Sequence, residues 1–98
     1  MGGLAVGRLE GDPRTKCLWI VSTKDPAERR NVKWPSKFKI VGDPLRLVNE
    51  RGEEVARVGD LVHIGGGAGD ASTRIEPECR VGRYTIIAHE VERVASPS

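Results

Sequence analysis

The sequence predicts an all-β fold: one small barrel of antiparallel strands with at most one helical turn. Three observations predict it. Apolar runs are brief and interleaved with polar residues. Glycine (12) and proline (6) interrupt them too often for helices. The most β-prone run, Cys17–Thr23, is built from β-branched, aromatic and aliphatic residues. A chain of 98 residues, 38% hydrophobic and 31% charged, makes a single domain (1–98) with one modest core.

Each element follows in order. Leu4–Glu10 alternates, with Leu4 and Val6 opposed to Ala5, Gly7 and Leu9, and reads as a strand. Gly11-Asp12-Pro13-Arg14 is a turn. Cys17–Thr23 reads as a central strand. Lys24–Val32 has the polarity of a loop, with room for one helical turn after Pro26. In Lys33–Val41, Phe38 and Ile40 alternate with Lys37 and Lys39, a half-buried strand with a basic outer face. Gly42-Asp43-Pro44 turns the chain again.

The stretch 45–67 reads as a meander of three short strands, Leu45–Val48, Glu54–Val58 and Leu61–Ile64. Asn49-Glu50-Arg51-Gly52 and Gly59-Asp60 are its turns, and Gly52 admits a positive φ. Val55 and Val58 lie three apart, so a bulge or an edge position is expected there. Gly65–Thr73 reads as a flexible loop. Arg74–Arg80 is irregular, because Pro77 argues against a central strand. Val81–Val94 is the last long strand, with Tyr84, Ile86 and Ala88 opposed to Thr85, Ile87, His89 and Val91. Ala95–Ser98 is a frayed tail. Six or seven such strands need closure to remove their edges. An OB-like barrel is the first expectation; an SH3-like or two-sheet barrel is the alternative.

The net charge of +2 is unevenly spread. Residues 1–49 carry ten Lys/Arg against five Asp/Glu, and residues 50–98 carry six against nine. The basic half suits an anionic partner, and solvated loops give the same pattern. Cys17 and Cys79 belong to no Cys-x-x-Cys pair, so a disulfide and a buried reduced pair are both open. No signal peptide is visible and no apolar run is long enough to span a membrane, which makes the cytoplasm the default and secretion the reading if a leader has been removed.

Candidate chemistry is sparse. The glycine run Gly65–Asp70 lacks the Gly-Lys-Ser/Thr ending of a phosphate loop and the Gly-x-Gly-x-x-Gly spacing. Cys17, His63, Cys79 and His89 are a chemically plausible zinc set without the local pairing that zinc sites show, so no metal is expected. Asp60 and His63 fall on opposite faces of a strand, and no Gly-x-Ser-x-Gly elbow exists, so no catalytic residues and no cofactor are expected. The basic segment 24–39 is the strongest candidate. It holds Lys24, Arg29, Arg30, Lys33, Lys37 and Lys39 against Asp25 and Glu28, with Trp34 and Phe38 interleaved. Cations neutralise phosphates, and an exposed indole stacks a base. Against this, a chain with four aromatic residues has few others from which to build a core.

Val-Gly-Arg-Leu near the start, Cys-Leu-Trp, Trp-Pro, Glu-Val-Ala-Arg-Val-Gly-Asp-Leu-Val-His-Ile-Gly-Gly-Gly and a late Cys before Gly-Arg-Tyr resemble a group of small bacterial domains of unassigned function. The resemblance spans Val6 to Tyr84. It implies an OB-like β-barrel and brings no activity or site residues. Val58-Gly-Asp-Leu-Val62 also recurs in lipoyl-type barrels, but these turns carry no modifiable lysine. The expectation is a non-catalytic barrel that binds or scaffolds another macromolecule. Single-stranded nucleic-acid binding through 24–39 is the rival and an enzyme the third reading.

Overall fold

A computed structural model of the chain describes residues 3–25, 27–69 and 73–94. Its strands are β1 (Gly3–Asp12), β2 (Cys17–Ser22), β3 (Arg29–Lys33), β4 (Lys39–Val41), β5 (Arg46–Val48), β6 (Glu54–Arg57), β7 (Leu61–Ala68) and β8 (Tyr84–Arg93). The helical content among the described residues is one 3-10 turn, Pro77–Cys79. Five strands close into a barrel in the order β1-β2-β3-β8-β7, and β4-β5-β6 form a separate three-stranded sheet. Barrel neighbours are antiparallel except β3 and β8, which are parallel. A five-stranded barrel closed through one parallel pair is OB-like.

The core follows from strand alternation. Leu9 of β1 faces Ile20 of β2 across the ladder, and both are fully buried. Val32, Val62, Ile64, Ile86 and Ala88 complete the barrel interior. The same cluster runs on into Leu45, Leu47 and Ala56, so the small sheet packs onto the barrel core and seals it. At the β6–β7 turn, the Leu9 amide donates to the Asp60 carbonyl and the Gly59 amide to the Leu9 carbonyl, each at 2.8 Å. Gly59 holds φ +101° to make this turn. Asn49 organises the β5–β6 turn: its Oδ1 accepts the amides of Arg51 (2.9 Å) and Glu53 (3.0 Å).

Four expectations need correction. Residues 29–33 are strand β3, not loop. Their polarity hid it, because Asn31 is buried by partners about fifty residues away. Second, the meander is β4-β5-β6, one strand earlier than read. β7 leaves it to pair with β1 and β8, since Val62 and Ile64 complete the barrel core. Third, the strand read over 33–41 is divided, with Lys33 ending β3 and Lys39–Val41 forming β4; residues 34–38 form a turn in which the Phe38 amide donates to the Pro35 carbonyl.

Fourth, the glycine run is not a flexible loop. Gly65, Gly66 and Gly67 lie in β7, paired with β8. A register shift falls between Gly65 and Gly66, and a Cβ on Gly66 would stand 1.9 Å from the Ile87 carbonyl oxygen. The glycine is there for close backbone approach at a bulge. The bulge also makes His89 an extra residue on β8, which turns Val91 back toward the core. Residues 70–72 and the tail 95–98 lie outside the described residues, as does Pro26.

Candidate binding surfaces

The basic segment 24–39 spans the β2–β3 loop, β3, the 34–38 turn and the start of β4. Lys24 lies in the β2–β3 loop, Arg29 and Lys33 at the two ends of β3, Lys37 in the 34–38 turn and Lys39 on β4. All five are exposed. Arg29, Asn31 and Lys33 share the outward row of β3, so the two end cations stand about 13 Å apart at the rise of an extended strand. Lys24, Arg29, Lys33, Lys37 and Lys39 make no ion pair among the described residues. Arg30 differs: its guanidinium donates to Glu28 through two nitrogens, at 2.8 and 3.1 Å. Trp34 is half-buried against the core, and its indole N–H donates to the Leu18 carbonyl at 3.1 Å. Its ring is therefore partly committed to the fold.

A groove of about 340 Å³ opens beside this segment. Phe38, Val55 and Val91 supply its apolar wall, and Lys37, Asn49, Glu50, Arg51 and Glu53 its polar rim. Next to it, β4 is the outermost strand of its sheet. Its free backbone groups are the kind that accept an added strand.

A charged cluster ties the small sheet to the barrel. Glu54 of β6 accepts from Arg57 at 2.7 Å and from Arg93 of β8, and Arg93 reaches Asp60 at 2.8 Å. Hydrogen bonds from Arg57, then Arg93, hold the Glu54 carboxyl below its ordinary pKa. The Glu54 hydrogen bond raises the Arg93 guanidinium in turn. With every carboxylate in it matched to an arginine, this cluster is a structural joint. No sequence motif announced it, since Glu54 and Arg93 are 39 positions apart.

The outer face of β2 and β3 is covered by the chain itself. Cys17 and Cys79 form a disulfide, with Cα atoms 5.3 Å apart. Both sulfurs are thus bonded to each other, which removes two members of the imagined zinc set. Among the described residues, no group of three or more His, Cys, Asp or Glu side chains could hold a metal ion. No described helix is long and apolar enough to cross a membrane. Asn31 and Trp19, both central to this covered face, escaped the sequence reading. A lone Asn between Arg30 and Val32 carries no local signal.

No protein-family model, curated protein or solved structure matches the chain. Fold and surfaces define a small single-domain β-barrel, OB-like in strand order, with an added sheet and a basic flank.

Proposed function

We propose that the chain is a non-catalytic module that docks on another macromolecule, and that the groove beside β4 is its contact surface. The observation that supports this is the groove's make-up: an apolar wall of Phe38, Val55 and Val91 under a rim of both charge signs. Apolar area drives docking and a mixed rim selects the partner's register. An extended peptide segment fits best, because β4 offers it a free strand edge. The resemblance to small bacterial domains adds no activity to this reading. To test it, proteins captured by the wild-type domain are compared with those captured by Lys37→Glu/Arg51→Glu. Loss of a partner from a variant with an unchanged thermal midpoint supports the groove. Retention of every partner overturns it.

A second reading, single-stranded nucleic-acid binding, is favoured by the five exposed cations without ion pairs between Lys24 and Lys39. Titration of a labelled oligonucleotide at about 50 and 200 mM salt tests it, with a steep loss of affinity expected. Lys33→Ala should lower the salt slope by about one. Absence of binding at the lower salt removes this reading. The Cys17–Cys79 disulfide supports an oxidising compartment over the cytoplasm.

A further inference from the structure

Between β7 and β8 the chain does not turn tightly. Its 74–83 portion returns along the outside of β2 and β3 as a strap that two anchors tie to those strands. The first is covalent: Cys79, in the 3-10 turn, is bonded to Cys17 at the start of β2. The second is Asn31. Its Oδ1 accepts the amides of Val81 (2.7 Å) and Gly82 (3.2 Å), and its Nδ2 donates to the Gly82 carbonyl at 2.9 Å. A Cβ on Gly82 would lie 2.0 Å from the Arg29 carbonyl oxygen, so the strap's return sits directly on β3.

Trp19 stands between the anchors. It is the register partner of Asn31 and shares the outward row of β2 with Cys17. Trp19 is half-buried, and its buried indole N–H meets no acceptor among the described residues. A buried donor without a partner is a standing cost that water would relieve. The strap is therefore held down over a residue that gains from being uncovered.

We propose that Cys17–Cys79 is a redox latch. Reducing it frees the 74–80 part of the strap, between Thr73 and the Asn31–Gly82 anchor, to lift and uncover Trp19. The reductant is a dithiol. Its thiolate attacks the Cys79 sulfur, the more accessible side since Cys17 is 1% exposed. The S–S bond breaks and Cys17 leaves as a thiolate that takes up a proton. The dithiol's second sulfur then displaces Cys79 from the mixed disulfide. The dithiol ends as a cyclic disulfide and the protein with two thiols, a balanced transfer of two electrons and two protons. The uncovered indole lies beside the row that carries Arg29 and Lys33, a setting suited to an unpaired nucleic-acid strand. This choice of ligand rests on the second reading above.

The test uses Trp34→Phe, which leaves Trp19 as the sole indole, with free thiols counted after reduction. Acrylamide quenching of Trp19 should rise severalfold in the reduced protein. The amides of Cys79 and Arg80 should lose more protection from exchange than the global loss of stability accounts for, while those of Val81 and Gly82 and of strands β1 and β2 lose no more than that. Cys17→Ser/Cys79→Ser should match the reduced form without any reductant. Unchanged quenching in fully reduced protein overturns the latch. So does a loss of protection in β1 and β2 as large as that in the strap, which would make the disulfide a staple of the whole fold and nothing more. A labelled oligonucleotide added to wild-type protein in both redox states should bind the reduced form more tightly. Equal binding to both states overturns the gating, whereas quenching that rises with no binding in either state overturns the choice of nucleic acid alone.

Discussion

The side-chain oxygen of Asn31 accepts the Val81 amide at 2.7 Å across fifty residues of sequence. This contact turns a polar segment into a barrel strand. It accounts for the burial of Asn31, at 1% exposure, in an outward row whose other members, Arg29 and Lys33, are exposed. Its partners Val81 and Gly82 lie just before β8, so it also sets where the parallel β3–β8 pair begins.

Asn31→Ala should therefore destabilise the fold by about 1–3 kcal/mol, because it strands two half-buried amides and a carbonyl. Asn31→Asp keeps the acceptor and loses the Nδ2 donor to Gly82 and Thr85. It should fall below wild type too. Urea midpoints at unchanged slope measure both.

The disulfide closes a loop of 62 positions. On the chain-entropy account, its removal in Cys17→Ser/Cys79→Ser should lower stability by roughly 2–4 kcal/mol. Equilibrium unfolding of this variant beside the oxidised wild type supplies the number. A loss near zero would show that the strap constrains little outside itself.

Neighbouring glycines of β7 should respond in opposite ways. At Gly66 an added methyl meets the Ile87 carbonyl oxygen at 1.9 Å, whereas at Gly67 nothing lies within 4 Å. Gly66→Ala should cost about 1–3 kcal/mol by forcing the bulge apart. Gly67→Ala should be neutral within about 0.5 kcal/mol. Thermal midpoints of the two variants decide whether the run serves close approach or looseness.

The Glu54 cluster predicts a pH dependence with a definite sign. Arg57 and Arg93 depress the folded-state pKa of Glu54. Its contribution is thus present above the unfolded-state pKa and is lost as pH falls through the lower folded value. Arg93→Gln should reduce the thermal midpoint at neutral pH and converge on wild type at strongly acid pH. High salt should narrow the difference as well, because the cluster is exposed.

The sequence by itself determined the class of fold and much of its punctuation. The β-prone run Cys17–Thr23 marked β2, and the alternation of Tyr84, Ile86 and Ala88 with Thr85 and Ile87 marked β8. Positive φ at Gly52, and a turn at Gly59, were legible from turn chemistry. These features are local: each is decided by a residue's own backbone preference or by a period of two. The tertiary structure alone decided the strand role of Arg29–Lys33, the departure of β7 from the meander and the tightness of the glycine run. It also decided that the chain covers the Trp19 face with its own strap. The reason is physical. Asn31 is satisfied by groups on the β7–β8 connection, Gly66 is demanded by a carbonyl on another strand, and Glu54 is paired across two sheets. Such requirements come into being when distant segments meet.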